Sequence, residues 1–281
     1  MLHAPAAGFR CSLLPACFFQ PETLKKRTMN NHIKAFGFDL FNTLITVDPD
    51  TLDRSHVNLA QSLRENGFEV DGQSFKTAHN DAALLYLEQC RLDGRETHNR
   101  FWISTALAKM GFSIVPDDVR IAAAVEAYFV PFYDDCRLIP GTTEMLKHLR
   151  KTYRLGLLSN FTHGPAARRI IDSLGLAPYF DVILISGELG YRKPHSLVFE
   201  RLVEALDTER ECIVYVGDDP EPDIFGAQEA GLRPLWTTYV MDHQLPLPPR
   251  ILSRGSGAPD ASVPRISTWK DLCVYLQDVH R

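Results

Sequence analysis

The sequence predicts an α/β protein: a doubly wound parallel sheet, Rossmann-like, carrying a small α-helical cap domain. Three observations predict it. From Pro140-Gly141 onward, short apolar runs alternate with helical periodicity, the βαβα rhythm that builds a parallel sheet. Upstream, residues 33–39 (IKAFGFD) are as short and uniformly apolar as a strand buried on both faces, and they end on an acidic residue and a polar turn. Between the two, residues 54–133 keep helical spacing, and about 80 helical residues inserted between strands are enough for a small domain of their own.

The elements follow in order along the 281 residues. Residues 1–28 read as an N-terminal extension and are expected to be disordered: prolines at 5, 15 and 21 break any helix, and no periodicity develops. The apolar stretch from Cys11 to Phe19 is interrupted by Pro15, and no A-x-A site follows, so it does not read as a signal peptide. Residues 29–48 and 137–281 are assigned to the α/β core and 49–136 to the helical cap. Within the cap, Leu52, His56, Leu59 and Leu63, then Ala83, Leu84 and Leu87, recur at three-and-four spacing. Asn66-Gly67 and Gly94 punctuate it, and Pro116-Asp117-Asp118 starts its last helix. In the core, helices are expected at 143–152, 166–173, 197–206, 224–230 and 269–277. Strands are expected at 155–158, 182–185, 213–216 and 233–236, and a Pro/Gly/Ser-rich loop at 246–264.

Composition bounds the function. Hydrophobic residues make up 45% of the chain, enough for a sizeable core and too many for wholesale disorder. The net charge of −5 argues against nucleic acid as a partner. No apolar run approaches the ~18 residues of a membrane span, so no membrane association is expected. The six cysteines are scattered and form no C-x-x-C, which fits a reducing, cytoplasmic setting better than a disulfide scaffold.

The chemically informative residues fall where strands stop: Asp39 in DLFNTL, Ser159-Asn160 after LGLL, Lys193 in GYRKP, and Asp218, Asp219 and Asp223 in VGDDPEPDIFGA. Singly, each has a plain structural reading as a cap, a turn or a solvated charge; Asp223 in particular reads as a cap for a helix starting near Ile224. Jointly, a carboxylate, a hydroxyl, a cation and a second acidic group meet on one edge only if a parallel sheet gathers them there. In order and context these four segments resemble the motifs of the haloacid dehalogenase superfamily, from about Ile33 to Gln277, with the helical insert in the place of that family's cap.

That resemblance implies a hydrolase with Asp39 as nucleophile and Thr43 hydrogen-bonded near it. Ser159 and the amides around Asn160 would bind the oxygens of the transferred group, and Lys193 would offset negative charge. It further implies Mg²⁺ as cofactor, held by Asp39, the backbone carbonyl of Phe41, Asp218 and Asp223, with Asp219 as an auxiliary, and a small anionic molecule as substrate. The sequence departs from the family's phosphatases at Phe41, where they carry a second Asp as general acid. Family dehalogenases have an aromatic Tyr there, yet they lack the acids of the fourth motif. The leading expectation is therefore Mg²⁺-dependent hydrolysis of a small phosphorylated metabolite with a good leaving group. The alternatives are 2-haloacid dehalogenase chemistry, or a non-catalytic binding protein. Arg54, Arg91, Arg95 and Arg100 are the cap's candidate anion clamps. Tyr86, Phe101, Trp102, Tyr128, Phe129 and Phe132 are candidate pocket walls, and His163 a candidate proton donor.

Overall fold

The computed structural model describes residues 32–245 and 257–279. The expected extension at 1–28, and residues 246–256 of the expected loop, lie outside the described residues. The chain opens with β1 (Ala35–Phe38) and β2 (Ile45–Thr46), then four helices: α1 (Thr51–Glu65), α2 (Gly72–Asp93), α3 (Asn99–Lys109) and α4 (Val119–Asp135). It returns through β3 (Arg137–Leu138) to α5 (Thr142–Leu149), β4 (Arg154–Ser159), α6 (Gly164–Ser173), β5 (Val182–Ile185), α7 (Ser186–Leu189) and α8 (Ser196–Leu206). It closes with β6 (Ile213–Gly217), α9 (Gly226–Glu229), β7 (Arg233–Thr237), α10 (Tyr239–Asp242), β8 (Arg265–Ile266) and α11 (Trp269–Val279).

Six strands form one parallel sheet in the order β5-β4-β1-β6-β7-β8. The chain builds outward from β1 through β4 to β5, then crosses to the other side of β1 with β6. The carboxyl ends of β1, β4 and β6 therefore flank the reversal point, where open α/β sheets bind ligands. Phe38 pairs with both Leu157 and Val216, which aligns those ends. All four residues of β1 are buried, as a central parallel strand requires; Phe36 and Phe38 are 0% exposed, each worth about 1.5–3 kcal/mol of burial.

The four consecutive helices leave and rejoin the core through a two-rung antiparallel ladder, Ile45 opposite Leu138 and Thr46 opposite Arg137. Their ends are set locally. Asp71 and Asp118 accept from the amides of Ser74 and Arg120, and Gly94 terminates α2 at φ 70°. Leu59, Leu63, Phe75, Ile103, Leu107 and Ile121 are fully buried, in an apolar cluster continuous with that under the sheet. A second attachment lies at the α2–α3 loop. Arg95 bridges Tyr191, the Glu96 amide donates to the Gly190 carbonyl, and the Arg192 amide donates to that of Gly94.

Several boundaries differ from expectation. β1 occupies only 35–38 of the 33–39 run, and α5 stops at Leu149 rather than 152. The helix expected at 224–230 begins earlier, as a wide π turn at Pro220–Phe225 continued by α9. β2, β3, β8, α7 and α10 are two to four residues long, too short to impress a period on the sequence. Among the described residues no helix is long and apolar enough to cross a membrane.

Candidate active site

Asp39 follows β1 directly, and its amide donates to the Val216 carbonyl, which ties it to the end of β6. The loop then turns sharply, with Asn42 at φ 60°, and the Leu44 amide reaches back to the Leu40 carbonyl. This turn brings Thr43 Oγ1 within 3.2 Å of Asp39 Oδ2, to which it donates. Lys193 reaches the same carboxylate from the far side. Its ammonium donates to Asp39 Oδ1 at 2.6 Å, to Asp223 Oδ1 at 2.7 Å and to Tyr215 Oη at 2.9 Å. An ammonium has three protons, so every one is placed.

Lys193 is held by its backbone as well. The Asn160 side chain accepts from the Lys193 amide at 2.8 Å and donates to its carbonyl at 3.0 Å. The Asn160 side chain thus serves Lys193 rather than a substrate oxygen. Ser159 closes β4 at 1% exposure, while Asn160, Phe161 and Thr162 line the cavity above the strand ends. The Phe161 amide is taken by Ser186 Oγ at 2.8 Å. Asp223 does not simply cap a helix. It lies inside the π turn at 1% exposure, with Oδ2 accepting from the Asp219 amide at 3.0 Å. Asp219 therefore acts here through its backbone, on Asp223. Gly217 leaves the room this needs, because a β-carbon there would collide with the Asp223 carboxylate.

Burial pushes the Asp39 carboxyl up to about 6; Lys193 opposes this and the Asp223 charge adds to it. Burial also works against the charge on Lys193, but Asp223 and Asp39 outweigh it and hold the amine well above the ordinary lysine value. Tyr215 is pushed well above the ordinary phenol range by burial. It stays a neutral hydroxyl that donates to the Leu158 carbonyl at 3.1 Å. Oxygen atoms of Asp39, Asp218 and Asp223 all lie within 4.8 Å of one another. This buried, oxygen-only donor set suits a hard divalent cation such as Mg²⁺, which prefers carboxylate ligands.

A cavity of about 730 Å³ opens above this cluster. Of the candidate walls, Trp102, Tyr128, Phe129 and Phe132 line it; Tyr86 and Phe101 instead pack around Ala82, Ala83 and Leu87. Of the candidate clamps, Arg91 stands at its rim. Arg54 and Arg100 pair with Asp135 and Asp117, and Arg95 lies on the Tyr191 bridge. His163 is engaged elsewhere, between His98 and Glu126 at 2.9 Å each. Sequence reasoning missed Tyr215, Asn99, Glu96 and Arg192. Tyr215 had a signal: a lone hydroxyl in the apolar run IVYVG must find a partner once buried.

An acidic residue at the end of the central strand, clamped by a lysine that comes from the loop between α7 and α8 and not, as the sequence suggested, from a strand end, defines a site at the topological switch point of the sheet. The chain belongs to the haloacid dehalogenase-like hydrolases, whose family model matches residues 33–231. It is 28% identical over 211 residues to a glyceraldehyde 3-phosphate phosphatase of Pyrococcus furiosus, covering 74% of this chain and 81% of that protein. Its fold is similar to that of a 2-haloacid dehalogenase from Pseudomonas syringae pv. Tomato DC3000, with TM-score 0.63, 24% identity, and coverage of 88% of this chain and 99% of the other. A HAD phosphatase from Thermococcus onnurineus matches with TM-score 0.55, 20% identity, and coverage of 87% and 98%. One fold thus carries both chemistries, and the choice between them rests on the site residues.

Proposed function

We propose that this hydrolase is a Mg²⁺-dependent phosphohydrolase acting on a small phosphorylated molecule with a good leaving group. The observation that carries this reading is the carboxylate triad Asp39, Asp218 and Asp223 with its oxygens within 4.8 Å. Displacement of halide needs no such cluster, whereas a phosphoryl dianion does need positive charge brought beside three carboxylates. Asp39, Asp218, Asp223 and the Phe41 carbonyl would hold the cation. When bound, it supplies charge neutralisation between the nucleophile and the phosphoryl oxygens.

In this reading Asp39 attacks phosphorus, the bond to the leaving oxygen breaks, and water then cleaves the aspartyl phosphate to release inorganic phosphate. Lys193 stabilises the charge that accumulates on the transferred group, preorganised by Asp223, Tyr215 and Asn160. Thr43 holds the unused side of the nucleophile, and Ser159 with the Asn160 amide receives phosphoryl oxygens. Residues 49–136 act as a cap over a core of 29–48 and 137–281, excluding water from the strand ends.

A second reading, hydrolysis at the carbon of a 2-halo acid with an ester formed on Asp39, is favoured by Phe41 alone. The test is release of phosphate from acetyl phosphate and of chloride from 2-chloropropionate, with and without EDTA, by the native chain and by Asp218→Ala. Phosphate release abolished by EDTA and by the substitution is expected. Chloride release indifferent to both would establish the second reading instead.

A further inference from the structure

The charged residues lining the cavity sort by burial. Some form the cluster at Asp39. Glu96 and Arg192 are matched to each other at 3.3 Å, with side chains 1% and 15% exposed. Arg91, Asp93 and Glu229 are exposed at the mouth. Between cluster and mouth the buried wall is aromatic. Phe41 and Phe161 stack with centroids 5.4 Å apart and planes 7° apart. Phe132 stands edge-on to both, at 6.4 and 6.1 Å. A polyhydroxylated leaving group would lose its water against these rings, and each hydrogen bond not replaced weakens its binding. A flat apolar body would gain contact instead.

Tyr128 and Asn99 add polar atoms to this lining. Tyr128 is 6% exposed and lines the cavity. Its hydroxyl makes no hydrogen bond to any described residue, and burial keeps it a neutral donor. Asn99, 1% exposed, also lines the cavity and rests one end of its amide on His79 Nε2 at 3.1 Å. The histidines decide which end faces out. His56 Nδ1 lies 2.7 Å from the Leu52 carbonyl and must donate to it. A neutral His56 then leaves Nε2 to accept from His79 Nδ1 across 3.2 Å, so His79 Nε2 carries a lone pair. An amide oxygen against that nitrogen would require a third proton on two buried rings, and burial drives His79 down to about 3. The neutral pair therefore takes the NH₂ end of Asn99, reached by a half-turn of the amide, and the oxygen is offered to the cavity. Tyr128 and Asn99 both contact His79 and both line the cavity, the one as donor and the other as acceptor.

We propose that the substrate is a phenolic phosphate monoester: an aromatic body held by the stacked phenylalanines, bearing a hydroxyl or amide substituent that Tyr128 and Asn99 bind. This rests on the phosphoryl reading above and explains its missing acid. When Asp39 bonds to phosphorus, the electron pair of the breaking P–O bond passes to the phenolic oxygen, where the ring delocalises it. Water then cleaves the aspartyl phosphate, and the released phenoxide takes its proton from solvent. Phe41 thus replaces an acid that a phenoxide does not need, and supplies wall surface instead.

The test measures phosphate release by the full chain with Mg²⁺ from acetyl phosphate, glycerol 3-phosphate, phenyl phosphate and 3-acetamidophenyl phosphate. Phenyl phosphate should exceed glycerol 3-phosphate in kcat/KM by about 10²-fold or more. The acetamido substituent should lower KM by about tenfold, and Tyr128→Phe should erase that advantage, bringing the ratio between the two aryl esters to about one. Hydrolysis of acetyl phosphate with glycerol 3-phosphate and phenyl phosphate equally good would overturn the proposal and leave the phosphoryl reading standing. An acetamido advantage that survives Tyr128→Phe would overturn the assigned contact. Phosphate release from none of the four would overturn both.

Discussion

Gly37 on β1 and Tyr215 on β6 share one volume: a β-carbon on Gly37 would fall 2.7 Å from the Tyr215 ring. The glycine lets the ring lie flat across the central strand, so that its hydroxyl meets the third proton of Lys193. Gly37→Ala should displace that ring and cost about 1–3 kcal/mol, the range for overpacking a filled core. It should also lower kcat, since Lys193 loses a fixed acceptor. Thermal melts and steady-state kinetics check this beside Tyr215→Phe, which keeps the ring and deletes only the hydroxyl. A Gly37→Ala protein with native stability would contradict the packing argument.

Phe41 stands where an acid would serve an ordinary ester. Phe41→Asp should raise kcat on glycerol 3-phosphate by about tenfold or more, out of the ~10²–10⁴ that a positioned acid brings. It should lower activity on aryl esters, which lose the ring stacked on Phe161. Circular dichroism and Mg²⁺ calorimetry would confirm that the variant is folded and binds metal. A folded variant with no gain on the alkyl ester sinks the idea that only the acid is missing.

Asn160 ties the end of β4 to the α7–α8 loop through the backbone of Lys193. Asn160→Ala removes both hydrogen bonds, and Asn160→Asp keeps only the acceptor. A graded loss of kcat is expected, larger for Ala than for Asp, with the affinity for Mg²⁺ little changed because no cation ligand is touched. Equal kcat in all three proteins would show that Lys193 needs no backbone clamp.

The legible part of this molecule was whatever repeats or terminates an element. The sheet showed in 155–158, 182–185 and 213–216 because each strand is apolar throughout and bounded by helical spacing. The clustering of Asp39 with Asp223 was legible because strand order sets the ends of β1 and β6 side by side, whereas Lys193 arrives from the loop between α7 and α8. What stayed hidden depends on single contacts across distant elements. Nothing local in GRETHN says that Glu96 will accept from Ser186 Oγ at 2.5 Å, ninety residues away. Asn160 read as an anion-binding turn because its real partners, the Lys193 amide and carbonyl, are tertiary. The π turn at Pro220–Phe225 reads in sequence as the approach to a helix near Ile224, because two prolines obscure the period while leaving Asp223 on the inner side.

His79 gives the pH dependence of stability a definite sign. It is 1% exposed inside the helical insert, and burial lowers its pKa from 6.5 to about 3, with the neighbouring His56 acting in the same direction. The unfolded chain takes up this proton as pH falls through 6.5, while the folded chain refuses it until near 3. The contribution to stability is therefore fully present above pH 6.5 and declines as pH falls toward 3. One proton of difference gives a slope of about 1.4 kcal/mol per pH unit, so about 2 kcal/mol should be lost between pH 6.5 and 5. Burial also lowers His56, whose surroundings include Asp53 and Lys76, and this steepens the loss. His79→Gln keeps a side chain able to hydrogen-bond toward Asn99 but cannot titrate. Urea unfolding at pH 7.5, 6.5 and 5 should show the variant less stable than wild type at pH 7.5, yet flatter with pH by about one proton's slope. Parallel curves for the two proteins would mean that His79 is already accessible to protons in the folded state, and that the histidine pair does not fix the orientation of Asn99.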